Sequence, residues 1–189
     1  MGIDDLKKHV DEALSKCEKT ILNHPNVVMS EADFERLLCK CISDEIKENL
    51  DIIPDAGTFS VHTQISHYIH DSGKYKVGER VDILLLDESL LESCRTNRKG
   101  KYSGVSIAFE LKYLHVGDSV KCVDEDFKKW ERLKEDSSLY VVVLLEAKSK
   151  EKFQIKKEKI KTIEMKYDGA KQNGINQLKC YVIMKKMVN

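Results

Sequence analysis

The sequence predicts an α/β fold, a mixed central β-sheet with helices on both faces. Three observations predict it. Segments of helical and of strand periodicity follow one another as helix, helix, strand, strand, strand, helix, strand, helix, strand. The passage over 105–145 is strand–helix–strand, which calls for a parallel pair joined by a right-handed crossover. Residues 139–145 are β-branched and apolar on both faces, the pattern of a strand covered on both sides.

Each element has its own reason. Over 3–22, Leu6, Val10, Ala13, Leu14, Cys17 and Ile21 recur every three or four residues, and Asn23-His24-Pro25-Asn26 stops the helix. A second helix starts at Ser30, where Ser30 and Asp33 form a capping-box pattern with Asp in place of Glu, and runs to Leu50 on a stripe of Phe34, Leu38, Cys41 and Ile42. Pro54, Asp55 and Gly57 make a turn. The period then changes to two. A strand over 58–70 and a second over 80–87, separated by Asp71-Ser72-Gly73, read as an antiparallel hairpin. Residues 88–104 form a long connection with a basic second half, and 105–113 is the third strand. A helix over 124–135 carries Phe127, Trp130 and Leu133; the strand 139–145, a Lys-rich helix over 148–166 and a last strand over 177–184 complete the chain. Residues 1–29 are an N-terminal helix that either covers the core or makes a dimer contact, and 30–189 are one domain with its core over 30–146.

Composition excludes several classes. A chain of 189 residues with 41% hydrophobic and 34% charged residues, 9 Gly and 2 Pro is neither collagenous nor wholly disordered. Its 32 basic and 32 acidic side chains cancel, which argues against binding nucleic acid through basicity everywhere. The charge is segregated, however. Residues 1–60 carry 7 bases and 13 acids, and residues 147–189 carry 12 bases and 4 acids. The N-terminus is charged and without an apolar signal core, and no segment reaches the length of a membrane span, so a cytoplasmic protein is expected. Its 6 Cys are scattered, and the Cys39-x-Cys41 pair on a helix points its thiols apart; free thiols are expected rather than zinc.

Two strands carry charge where apolar residues belong. In the first, Val81, Ile83 and Leu85 share one face and Asp82 lies on the other with Leu84 and Leu86. In the second, Val105, Ile107, Phe109 and Leu111 form one face, while Glu110 and Lys112 stand side by side opposite. A buried carboxylate without a partner is costly, so a cation must accompany Glu110, either Lys112 or a metal ion.

Asp82 followed 28 residues later by Glu110-Leu111-Lys112, on flanking apolar strands, resembles the D…(D/E)-x-K signature of the PD-(D/E)XK nuclease superfamily. Phe34-Glu35-Arg36-Leu37-Leu38 is similar to the acidic setting on an upstream helix of that family, and the helix and buried strand downstream match its order. Val81 stands where the family name has Pro. The resemblance implies a restriction-endonuclease-like fold with an αβββαβ core, and an endonuclease dependent on Mg²⁺ or Mn²⁺ and acting on DNA, with RNA as an open alternative. By that resemblance Asp82, Glu110, the Leu111 carbonyl and Glu35 ligate the metal, Lys112 orients or deprotonates the attacking water, and a homodimer is one arrangement relatives adopt. Glu45 competes with Glu35 as the helix acid, because it falls within the apolar stripe. Gln64 is an additional candidate, and Arg98, Lys99, Lys101, Lys156 and Lys157 are candidates for nucleic-acid contact. The alternative function is a non-cleaving module on the same fold that binds nucleic acid or protein.

Overall fold

The computed structural model describes residues 3–48, 59–66, 69–71, 74–76, 80–87, 91–92, 101–102, 106–132, 137–167 and 177–186. It is an α/β structure built on a five-stranded mixed sheet. The sheet strands are β1 (Phe59–Ser66), β4 (Arg80–Asp87), β7 (Ser106–Leu114), β8 (Ser137–Ala147) and β9 (Leu178–Lys186), in that spatial order. Two short pairs stand apart from it, β2 (Ile69–Asp71) with β3 (Lys74–Lys76) and β5 (Leu91–Glu92) with β6 (Lys101–Tyr102). The first two steps of the main sheet are antiparallel, β1 to β4 and β4 to β7; the next two are parallel, β7 to β8 and β8 to β9. The expected hairpin and the expected parallel crossover are both present. Of the expected strand over 58–70, Phe59–Ser66 joins the main sheet as β1 and Ile69–Asp71 pairs with β3, while residues 58, 67 and 68 lie outside the described residues.

Two layers of helix cover the sheet. Helices α1 (Ile3–Asn23) and α2 (Glu31–Glu48) pack on one face over Ile83, Leu85, Ile107, Phe109, Leu111 and Val142. Helices α3 (Val123–Lys128) and α4 (Lys150–Glu164) pack on the other over Leu84, Leu86, Ala108, Val141 and Val143. β8 is buried along nearly its whole length, as a strand between two helical layers must be. α1 covers the core of its own chain: Leu6, Val10, Ala13, Leu14, Cys17 and Ile21 are all buried. Polar contacts join this first helix and the turn after it to the last strand. Lys179 Nζ donates to Asp11 at 2.6 Å, Tyr181 Oη to Glu18 at 3.0 Å, and Lys185 Nζ to the Val28 carbonyl at 2.7 Å.

The capping pattern at Ser30 forms as a local clasp. Ser30 Oγ accepts the Asp33 N–H at 3.1 Å, while the Asp33 carboxylate accepts the Ser30 hydroxyl at 3.0 Å and the Met29 N–H at 3.1 Å. This fixes where α2 begins, and so places Glu31 in its first turn. α3 is shorter than the expected 124–135: it tightens into a 3-10 helix over Lys129–Arg132, where Lys129 reaches back to the sheet. No helix among the described residues is long and apolar enough to cross a membrane. Among the described cysteines, Cys17, Cys39, Cys41, Cys122 and Cys180 are free.

Candidate functional site

The site lies where β4 and β7 part. Their ladder runs from Leu86↔Ser106 to Ile83↔Phe109 and ends there, while β7 stays paired with β8 through Leu114↔Leu145. Just past the last pair, the Asp82 carboxylate accepts the Leu111 N–H at 2.7 Å. A side chain therefore braces the fork that the main chain no longer bridges. Val81 joins the cluster on the α3/α4 face, together with Leu84 and Leu86, rather than sharing a face with Ile83 and Leu85 as strict alternation predicts. The loss of ladder pairing at Asp82 is where the alternation breaks. On the other side of β4, the register through Thr63↔Ile83 and Ile65↔Val81 brings Gln64 opposite Asp82.

Glu110 and Lys112 sit on the α3/α4 face of β7, two residues apart as predicted. Glu110 is 2% exposed, and its Oε2 accepts a hydrogen bond from Lys129 Nζ at 2.6 Å. Lys129 also donates to the Arg80 carbonyl at 3.2 Å, so one ammonium ties the 3-10 turn to both strands of the fork. Among the described residues, the buried Glu110 Oε1 accepts no hydrogen bond. Burial pushes the Glu110 carboxyl up to about 8; Lys129 offsets part of this, and the neighbouring Asp82 and Asp126 charges add to it.

Lys112 faces two carboxylates, Asp126 Oδ2 at 3.7 Å and Glu31 Oε2 at 3.9 Å. Burial alone would lower its ammonium, but Asp126, Glu31 and Asp82 outweigh that and hold it above the ordinary lysine value. Asp126 is 6% exposed, and among the described residues its Oδ2 accepts no hydrogen bond, with the Lys112 ammonium 3.7 Å away. Burial pushes its carboxyl up to about 6, with Lys112 and Lys129 opposing. Asp126 and Lys129, three residues apart on one turn, were not foreseen. A signal for Asp126 was present: it lies between Val123 and Trp130 at helical spacing, on the side that is buried.

The helix acid whose contact with β7 is described is Glu31. Glu31 Oε2 accepts the Tyr113 N–H at 3.1 Å, beside Lys112 on β7. Glu35, one turn on, is half-buried and adds its negative field at Cys39. Glu45 is 14 residues beyond Glu31, about 21 Å along the helix axis. It belongs to the α1–α2 contact, where Lys16 Nζ stands 2.7 Å from its Oε2 and His9 Nδ1 lies 3.1 Å from its Oε1. Among the described residues, His9, Glu12 and Glu45 are the group whose metal-ligating atoms all lie within 4.8 Å of one another, with the Lys16 ammonium already against them.

Among the described residues, the carboxylates at the fork do not converge as a group of three with ligand atoms within 4.8 Å of one another. Their donors are carboxylate oxygens, the type Mg²⁺ and Mn²⁺ take. Four carboxyl groups (Asp82, Glu110, Asp126, Glu31) face two ammoniums (Lys112, Lys129), so acidic groups outnumber the cations at the fork.

The basic candidates divide. Arg98 and Lys99 lie outside the described residues, and Lys101 falls in β6 opposite Glu92. Lys156 is committed internally: its Nζ donates to the carbonyls of His115, Val116 and Asp118 at 3.3, 2.9 and 3.1 Å, clasping the loop after β7. Lys157 lies 5.8 Å from the centre of the Phe153 ring. A cavity of about 620 Å³ beside α3 is lined by Lys156 and Lys159 of α4 together with Lys121, Asp124 and Lys166 among others. Compared with protein-family models, curated proteins and solved structures, the chain matches none.

Proposed function

We propose that this chain is a divalent-metal-dependent nuclease that hydrolyses phosphodiester bonds in DNA. The observation that carries this reading is the fork between β4 and β7, where Asp82 holds the Leu111 N–H between Glu110 and Lys112 and acidic groups outnumber the ammoniums around them. The sheet order β1-β4-β7-β8-β9, with helices on both faces, supports it, since the resemblance to the restriction-endonuclease-like core implies such a sheet. The displaced net charge supports it too: acids gather before residue 61 and at the fork, bases after residue 146.

Mg²⁺ or Mn²⁺, when bound, supplies neutralisation of the phosphate and a more acidic water. Asp82 and Glu110 would hold it, with the Leu111 carbonyl as the resemblance implies. Lys112, kept protonated by its acidic neighbours, donates charge and hydrogen bonds to the oxygen that becomes negative as the ester opens. Glu31 positions that ammonium from one side and Asp126 from the other. The fork holds Asp82 by the Leu111 N–H, so its carboxylate is oriented before any substrate arrives.

The test is a cleavage assay of the purified chain with Mg²⁺ or Mn²⁺ on plasmid, single-stranded and branched DNA and on RNA, with Glu110→Ala as control. Metal-dependent cutting of DNA, lost in the variant, is expected. Absence of cutting on every substrate, or cutting that survives Glu110→Ala, would sink the reading.

A further inference from the structure

Lys152 and Lys159 lie on one face of α4, seven residues and about 10 Å apart along the axis. Lys148 precedes the helix and Lys166 follows it. Two cavities adjoin this face. One, of about 620 Å³, is lined by Lys121, Lys159 and Lys166 among others; the second, of about 220 Å³, by Lys148, Lys152 and Lys159 among others. Both are also lined by Lys156, so they meet along α4. The opposite wall is fixed in place. Lys156 Nζ donates to the carbonyls of His115, Val116 and Asp118, which seats the loop after β7 against α4. In that loop Ser119 Oγ accepts the Lys121 N–H at 3.2 Å and caps the 3-10 turn Val120–Cys122, which sets Lys121 on the cavity wall.

Acids and bases of this depression are used differently. Its lining carboxylates are engaged within the chain. Asp118 accepts the His115 N–H at 2.8 Å, Asp124 accepts the Tyr167 hydroxyl at 3.0 Å, and Glu146 accepts from Tyr113 and Lys185. Lys166 stands 4.0 Å from Asp124. The ammoniums of Lys121, Lys148, Lys152 and Lys159 are on exposed residues, and among the described residues none of them has an ion-pair or hydrogen-bond partner. We propose that the two cavities form one track for the phosphate backbone of DNA, held by Lys121, Lys148, Lys152 and Lys159.

The choice of DNA as the polymer rests on the nuclease reading of the fork; the track itself rests on the cavities and their unengaged cations. The row from Lys152 to Lys166 covers about 20 Å, over which one strand of duplex DNA presents about six phosphates. Single charges repeated along a concave path fit a polymer of regular charge better than one small anion. The track also lies beside the fork, with α3 between them: Asp126 faces Lys112, while Asp124, two residues earlier, lines the cavity. Lys156, whose ammonium is spent on carbonyls, shapes the wall and makes no phosphate contact.

Fluorescence anisotropy of the full chain with short labelled oligonucleotides, single-stranded and duplex, tests this in EDTA over a range of KCl concentrations. Binding that weakens with salt is expected. The double variant Lys121→Gln, Lys159→Gln should bind at least tenfold more weakly, with the salt slope lowered by about two. Lys8→Gln, Lys19→Gln removes the same charge from exposed positions of α1, on the other face of the sheet, and should bind within twofold of wild type. Both variants should melt as the wild type does. Equal losses in the two double variants, or no binding of either DNA, would overturn the proposal. Equally tight binding of poly-glutamate or of phosphatidylserine vesicles, with the same dependence on Lys121 and Lys159, would overturn DNA as the occupant. Binding that depends on Lys121 and Lys159 but is followed by no cutting in Mg²⁺ or Mn²⁺ would sustain the track and sink the nuclease reading. Metal-dependent cutting untouched by Lys121→Gln, Lys159→Gln would do the reverse.

Discussion

The Asp82 carboxylate takes the Leu111 N–H at 2.7 Å one residue beyond the last β4–β7 ladder pair, so one side chain both ends the pairing of the two strands and ties them. Charge and hydrogen bonding at this residue should separate on mutation. Asp82→Asn keeps an oxygen acceptor for Leu111 and removes the charge. It should lose metal-dependent cleavage by about 10²- to 10³-fold, the scale of losing one electrostatic group, with urea denaturation unchanged. Asp82→Leu removes the acceptor as well and should cost about 1–3 kcal/mol of stability in the same denaturation.

Two buried glutamates should give opposite signatures in a pH–stability profile. Glu110 binds a proton more tightly folded than unfolded, since burial lifts it from 4.5 to about 8. In metal-free protein it therefore lowers stability as pH rises across that window. Glu45 is the reverse. Burial would raise it, but Lys16 and His9 prevail and hold it at about 2, so its contribution is present above 4.5 and lost as pH falls toward 2. Melting temperatures should fall less from pH 5 to 8 in Glu110→Gln than in the wild type, and less from pH 5 to 2.5 in Glu45→Gln. A wild-type slope preserved in either variant contradicts the corresponding assignment.

Neighbouring lysines on α4 should behave differently. Lys156 donates to three carbonyls of the loop after β7, so Lys156→Met should destabilise the fold by about 1–2 kcal/mol. Lys159 is exposed on the same helix, and Lys159→Met should stay within about 0.5 kcal/mol of wild type. Chemical denaturation of the two variants side by side settles it; equal stabilities would mean that Lys156 clasps nothing.

A buried polar knot at the far end of β7 offers another check. Lys185 Nζ donates to the Tyr113 hydroxyl and, at 3.1 Å, to Glu146, which also accepts the Tyr113 hydroxyl at 2.5 Å and lies 3.0 Å from His115 Nδ1. Lys185→Met leaves Glu146 without its cation in a mostly buried setting and should cost about 3–5 kcal/mol. Lys185→Met combined with Glu146→Gln should recover part of that loss. A single variant as stable as wild type would show the knot to be energetically neutral.

The strands of the main sheet, and the placement of Glu110 beside Lys112, were legible because they rest on local pattern. β4 spans 80–87, the segment the alternation marks, and period two alone puts Glu110 beside Lys112. What escaped depends on contacts distant in sequence. Which lysine of the α4 run turns inward is decided by carbonyls 38 to 41 residues earlier, and nothing local distinguishes Lys156 from Lys159. Glu31 escaped for a different reason. A helical wheel ranks acids by their place around the axis, whereas Glu31 reaches β7 by its place along it, in the first turn that Ser30 and Asp33 define. Asp126 was the readable omission. The criterion that singles out Glu45, an acid inside an apolar stripe, applies equally to Asp126 between Val123 and Trp130.

The contacts from Lys179, Tyr181 and Lys185 to Asp11, Glu18 and Val28 span 168, 163 and 157 residues. Their consequence lies in time. Helix α1 precedes β9 in synthesis by most of the chain, yet part of its seat is β9. On the ribosome its apolar stripe can already meet α2 and the earlier strands, but its polar ties to β9 must wait for the last strand, so closure of that longest loop becomes a late, entropically slow event. A nascent chain halted before residue 178 should accordingly be the form that chaperones hold, whatever the finished protein does.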